Sequence, residues 1–133
     1  MSERDLVNEW LQIAYEDYDT ALYLFDNKYP KPLEIICYHC HQSVEKSLKG
    51  YLCAKDAEVP KVHSVRWLCT RCAEFDSGFS EYIKQCAELE IYGTGLRYPN
   101  RIEIEETNAK EALHDASEIH RFVSGRVQRL LGG

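Results

Sequence analysis

Apolar residues recur at intervals of three and four along most of this chain, which is the spacing of one face of an α-helix. In the first such segment, from Glu3 to about Asn27, that face carries Val7, Trp10, Ala14, Ala21 and Leu24. The stretch from Lys28 to Pro32 contains two prolines. Because proline lacks an amide donor and disfavours helix in the residue before it, this stretch predicts a turn.

The same spacing returns after the turn. It predicts further helices at Leu33 to about Ala54, Val65 to Phe75, Phe79 to Leu89 and Asn108 to Leu130. Ser80 is a candidate cap for the fourth helix, and Asn108 with Glu111 resembles a capping pair for the last. No segment alternates with a period of two, so the sequence predicts an all-α fold, an antiparallel up-and-down bundle of four to five helices.

Length and composition fit one globular domain spanning residues 1–133, with 44% hydrophobic and 29% charged residues. No apolar run approaches the roughly 20 residues of a membrane span. The polar N-terminus lacks the apolar core of a secretory signal, so we expect a cytoplasmic protein with reduced thiols. The net charge of -6 argues against non-specific coating of nucleic acid, and any RNA contact must be local.

Two cysteine pairs, Cys37-x-x-Cys40 and Cys69-x-x-Cys72, have the spacing of a four-thiolate zinc site. All four, and Cys86, fall on the apolar stripes, where a buried free cysteine packs as a small hydrophobe. The sequence therefore predicts core cysteines and neither a metal nor a cofactor. Cys53 falls on the other side of the second helix and is predicted to be a surface thiol.

The second helix also has a polar face. With 100° per residue, it gathers His39, Gln42, Lys46 and Lys49 away from the cysteine stripe. Such a cluster is usually a solvated helix face, but a histidine, an amide and two lysines could also bind phosphate or a base edge. His41 and Glu45 lie at its boundary.

Asp17 shares the apolar stripe of the first helix, where an unpaired carboxylate would be costly. We interpret Asp17 and Glu45 as buried structural groups, and expect a Lys or Arg from another helix beside Asp17.

The segment from Tyr92 to Arg101 holds Gly93 and Gly95 but lacks the Gly-Lys-Ser/Thr ending of a P-loop. Arg97 and Tyr98 precede the last helix and form a candidate anion site, because guanidinium groups and helix N-termini favour phosphate. No catalytic constellation can be assembled from the residues alone, and the catalytic residues stay unknown.

Together these segments resemble the HEPN domain family. The first helix resembles the family's in Trp10-Leu11, Ala14 and Asp17-Tyr18, and the second carries a similar signature from Cys37 to Lys49. His63 and the Arg97-Tyr98-Pro99 element match further positions, so that the resemblance covers about residues 5 to 130.

The resemblance implies a helical bundle, commonly a homodimer, found in prokaryotes beside a minimal nucleotidyltransferase as a toxin and antitoxin pair. Many members are metal-independent ribonucleases with an arginine and, four to six positions later, a histidine. Counting from Arg97 or Arg101, no histidine stands at those places. We therefore lean against an enzyme.

Three hypotheses follow. The first is a non-catalytic or weakly catalytic module that binds nucleotide or RNA phosphate through Arg97, Lys46 and Lys49, associates with itself and has a nucleotidyltransferase as partner. The second is a ribonuclease that uses His39 or His63 in place of the missing histidine. The third is a protein–protein interaction bundle whose polar face contacts only protein.

Overall fold

The helices begin and end close to where the apolar pattern predicts. The computed structural model describes residues 2–93 and 103–132. Over those residues the elements are the helices α1 (Glu3–Asn27), α2 (Leu33–Ala54), α3 (Val65–Ala73), α4 (Ile83–Leu89) and α5 (Glu106–Leu130), with 3-10 segments at Ser77–Tyr82 and Glu90–Gly93. This part of the chain holds no strand, and the prediction of an all-α bundle is confirmed.

Local capping explains the helix starts. Ser2 caps α1, because its Oγ accepts from the Asp5 amide at 3.1 Å and the Asp5 carboxylate accepts from the Ser2 amide at 3.2 Å. The α5 start differs from the prediction: Glu105 precedes the helix, and Asn108 accepts from the Glu105 amide at 2.9 Å from inside the first turn. Ser80 lies within a 3-10 segment and does not cap α4.

Helix α2 is the centre of the bundle and packs against α1, α3 and α5. Ser43 donates a hydrogen bond to the Ala14 carbonyl of α1 at 2.7 Å. Gly50 permits a close approach of the same two helices, since a Cβ there would lie 3.1 Å from Leu11 Cδ2. The Arg4 guanidinium donates to the Leu131 carbonyl, which places the start of α1 beside the end of α5. Most of α2 is consequently buried.

The cysteines occupy the core. Those predicted to pack there are fully buried, as expected: Cys37, Cys40, Cys69, Cys72 and Cys86. The prediction of a surface thiol at Cys53 is wrong, because this side chain is only 7% exposed. The start of α1 passes near it, with Glu3 close enough to influence the thiol, and burial raises the Cys53 pKa.

Over residues 2–93 and 103–132, none of the helices combines the length and the apolarity that a bilayer-spanning helix requires.

Candidate functional site on the second helix

Glu45 is the centre of a charged cluster on α2. Its side chain is 1% exposed, and its Oε2 accepts hydrogen bonds from Lys49 Nζ at 3.1 Å and His63 Nδ1 at 3.2 Å. Lys46 Nζ lies 3.6 Å from the same oxygen. The other oxygen, Oε1, is buried without a hydrogen-bond partner among the described residues. Two lysines and one histidine therefore converge on a single carboxylate oxygen.

The surroundings keep Glu45 ionised. Burial alone would raise the pKa of this carboxyl group, but the hydrogen bond from Lys49 and the charge of Lys46 outweigh burial and hold the pKa below its usual value. With Glu45 negative and both lysines positive, the helix carries a net positive charge at this point.

The polar face of α2 is more buried than an ordinary solvated helix face. Lys49 is only 5% exposed, and His39, Gln42 and Lys46 are half-buried. The face is covered because the segment before α3 returns with His63 over Glu45, and because the 3-10 segment Glu90–Gly93 packs on α2. Glu45 is fully buried, as predicted.

His39 is turned toward α1 instead of toward the lysines. Its Nδ1 lies 3.1 Å from Asp17 Oδ1, and the Asp17 side chain is 22% exposed. The prediction for Asp17 is thus wrong on two points: the group is half-buried, and its partner is a histidine. The α1 stripe is narrow at this level, since only the small side chains of Ala14 and Ala21 flank Asp17 on the fully buried side.

His41 is a buried polar residue whose environment the sequence does not reveal. Its Nδ1 lies 3.2 Å from Gln42 Oε1, and burial lowers the pKa of the imidazole, which is therefore neutral at pH 7. Gly93 lies against this ring, because a Cβ at Gly93 would be 2.5 Å from His41 Nε2. Gly93, which belongs to the segment compared above with a P-loop, is therefore a packing residue for His41.

His63 is the most accessible member of the cluster, with a side chain 76% exposed. Its position follows from the start of α3, where Ser64 accepts from the Trp67 amide at 3.1 Å and donates to Glu90. Glu90 also accepts from the Val65 amide at 2.9 Å. Sequence reasoning missed Glu90, since nothing in the pattern pairs it with a helix start 25 residues earlier.

The structure therefore brings Lys46, Lys49 and His63 together around Glu45. It directs His39 to Asp17 and Gln42 to His41. The predicted Arg97 and Tyr98 lie outside the described residues, as do Pro99 and Arg101. Among the described residues, no group of histidines, cysteines and carboxylates has the arrangement of a metal site.

The helical bundle that carries this cluster is similar to known proteins. The HEPN domain model matches residues 7–127, and the chain belongs to the HEPN domain family. The crystal structure of an archaeal HEPN homologue superposes with a TM-score of 0.71 at 25% sequence identity, covering 91% of this chain and 97% of that one. None of the curated proteins matches this chain significantly.

Proposed function

We propose that this chain is a HEPN module that binds the phosphate of a nucleotide or of RNA beside Lys46, without itself cleaving the RNA. The observation that carries the proposal is the convergence of Lys46, Lys49 and His63 on Oε2 of Glu45. In a chain of net charge -6, two lysines here face the single carboxylate of Glu45, which leaves positive charge that Glu45 alone does not offset.

The members of the cluster differ in what they can reach. Lys49 is held by Glu45 and has a side chain only 7% exposed, so its role is electrostatic. The Lys46 side chain is 21% exposed, and His63 is largely in solvent, so these two can contact a ligand directly. Arg97 and Tyr98 complete the proposal as the groups that bind a second phosphate oxygen and stack on a base.

The test of this proposal is a titration with ATP by isothermal calorimetry. Lys46→Gln removes the accessible cation, and Lys84→Gln, an exposed lysine on α4, is the matched control for charge. We expect the Lys46 change to weaken binding at least tenfold, since hydrogen bonds to charged groups contribute about 1.5 to 3 kcal/mol. Equal affinities for both variants and the unchanged chain would refute the site.

A second function is favoured by one specific contact. His63 donates through Nδ1 to a buried carboxylate while most of its ring faces solvent, which is how a general acid or base is oriented. Under this alternative the chain is a metal-independent ribonuclease. RNA cleavage in the presence of a chelator, lost in His63→Gln and retained in His114→Gln, would establish it; no cleavage would leave the binding module.

Partners are proposed on the family resemblance. We propose a cytoplasmic prokaryotic homodimer that pairs with a minimal nucleotidyltransferase in a toxin–antitoxin type system.

Apolar side chains on α1 support self-association, because Leu6 is 44% and Ile13 37% exposed on one side of the helix beside Trp10. Light scattering should give twice the chain mass and half that value for Ile13→Glu. A monomer before substitution would refute the dimer, and co-purification from the host tests the nucleotidyltransferase.

A further inference from the structure

A groove runs along the seam between α1 and α5, on residues that the α2 cluster does not use. Two cavities of about 940 Å³ and 460 Å³ form it, and Ser124 lines both of them. The α1 wall follows one helical stripe from Arg4 to Tyr18, which spans about 21 Å at 1.5 Å per residue. The groove is therefore long enough for an extended ligand.

The charge of this groove is opposite to that of the whole chain. The sequence contains 22 Asp and Glu residues, yet neither cavity is lined by any of them. Arg4 and Arg129 line the larger cavity, and Arg121 lines the smaller one. Arg4 donates to a backbone carbonyl, whereas Arg121 and Arg129 have no ion-pair partner among the described residues. Two guanidinium groups are thus available for an anion.

Arg121 and Arg129 are eight positions apart on α5, which separates their backbones by about 12 Å. That distance suits an anion with repeated charges better than one compact phosphate. One guanidinium group can donate two parallel hydrogen bonds to two oxygens of the same phosphate. This favours the phosphodiesters of a nucleic-acid strand as the repeated charge.

Aromatic side chains line the smaller cavity beside Arg121. Tyr15 is 49% exposed, and its ring lies 6.1 Å from the His120 ring, tilted by 52°. His120 Nε2 donates to the Leu11 carbonyl at 3.4 Å, and burial lowers its pKa, so the imidazole is a neutral support for Tyr15. An exposed ring held in this way is a platform on which a base can stack.

We propose that the α1–α5 groove binds a single-stranded oligonucleotide, with Arg121 and Arg129 on the phosphates and Tyr15 against a base. The proposal does not depend on the α2 cluster. It requires a strand with several phosphates, whereas the Lys46 site requires one.

The experiment measures fluorescence anisotropy of a fluorescein-labelled oligouridylate at low ionic strength. Arg121→Gln with Arg129→Gln removes two groove charges. The control variant, Arg66→Gln with Lys84→Gln, removes two exposed positive charges outside the groove, so that its net charge equals that of the groove variant. We expect the groove variant to bind the oligonucleotide at least tenfold more weakly than the unchanged chain. The slope of log K against log salt concentration should become shallower by about 0.7 for each arginine removed. The control variant should bind as the unchanged chain does.

Further arms separate the contributions. Tyr15→Leu should lower the affinity about tenfold and Tyr15→Phe should not, since stacking needs the ring and not the hydroxyl group. Lys46→Gln should leave the dependence on Arg121 and Arg129 intact. No binding by the unchanged chain, or equal binding by groove and control variants, overturns the proposal even if ATP binds at Lys46. A change of oligomeric mass in the groove variant without a change in oligonucleotide affinity identifies a protein contact and also overturns it.

Discussion

Lys49 donates a hydrogen bond to Glu45 over 3.1 Å, one turn apart on α2, with both side chains almost completely buried. A buried ion pair of this kind is weak support for stability as a pair, but each partner depends on the other, because removing one leaves an uncompensated charge.

Glu45→Gln should therefore lower the free energy of unfolding by about 3 kcal/mol or more. Replacing both members, with Glu45→Met and Lys49→Met, should recover much of that loss, since neither of the two almost completely buried charges then remains and Lys46 still reaches solvent. Urea denaturation measures both. Glu118→Gln is the control, because its ion pair with His114 at 2.9 Å is largely exposed and should contribute less than about 1 kcal/mol. A Glu45→Gln chain as stable as this control would contradict the account.

Gly93→Ala should destabilise the protein by about 1 to 3 kcal/mol, the usual range for overpacking. The added methyl group would meet the His41 ring at 2.5 Å, and that ring is fixed in the core. Gly125→Ala is the matched control, because no atom lies within 4 Å of a Cβ there and the residue is inside α5. The control should gain about 0.5 to 1 kcal/mol from helix propensity. Thermal melts in which the two substitutions behave alike would rule out the proposed contact.

Stability should fall as the pH drops below about 6.5. Burial lowers the pKa of His41 and of His120 from the ordinary imidazole value of 6.5, so the unfolded chain binds more protons than the folded one in this range. The stabilisation is present above that value and is lost as the pH falls through the folded-state pKa. Urea midpoints over this range should decline, and less steeply in His41→Gln than in the exposed control His114→Gln. Urea midpoints that decline equally with pH in the two variants would exclude His41 as a source of the pH-dependent stability.

The thiols should react slowly with an aromatic disulfide reagent in the folded protein. Burial raises the pKa of Cys37 to about 12 and raises the pKa of Cys53, so little thiolate is present at neutral pH. Cys53 should react first, because it is 7% exposed and the others are fully buried. Fast labelling of several thiols, or stoichiometric zinc whose chelation unfolds the chain, would contradict the interpretation of core cysteines.

The bounds of α1 and α2 follow from the sequence because strong apolar periodicity is interrupted by Pro30 and Pro32. The periodicity predicts on which side of a helix each residue lies. It does not predict which other segments of the chain pack on that side. For that reason the sequence predicts Cys53 and Lys49 on a solvated side, although the start of α1 and the returning segment at His63 bury them. The role of Glu90 depends on a contact 25 residues away, which no local pattern contains.

The groove between α1 and α5 was missed for a related reason. Arg121 and Arg129 look like ordinary surface residues of an amphipathic helix in the sequence. No acidic residue lines the cavities beside these two arginines, and this depends on how α1 packs beside α5.

The central claim is a phosphate site beside Lys46, and the most direct measurement is the calorimetric titration of ATP into the unchanged chain, Lys46→Gln and Lys84→Gln. The account predicts binding by the unchanged chain and the Lys84 control, and at least tenfold weaker binding after the Lys46 change, because Lys46, unlike Lys84, belongs to the Glu45 cluster and reaches solvent there. Undetectable binding by the unchanged chain, or the same affinity in both variants, would contradict it.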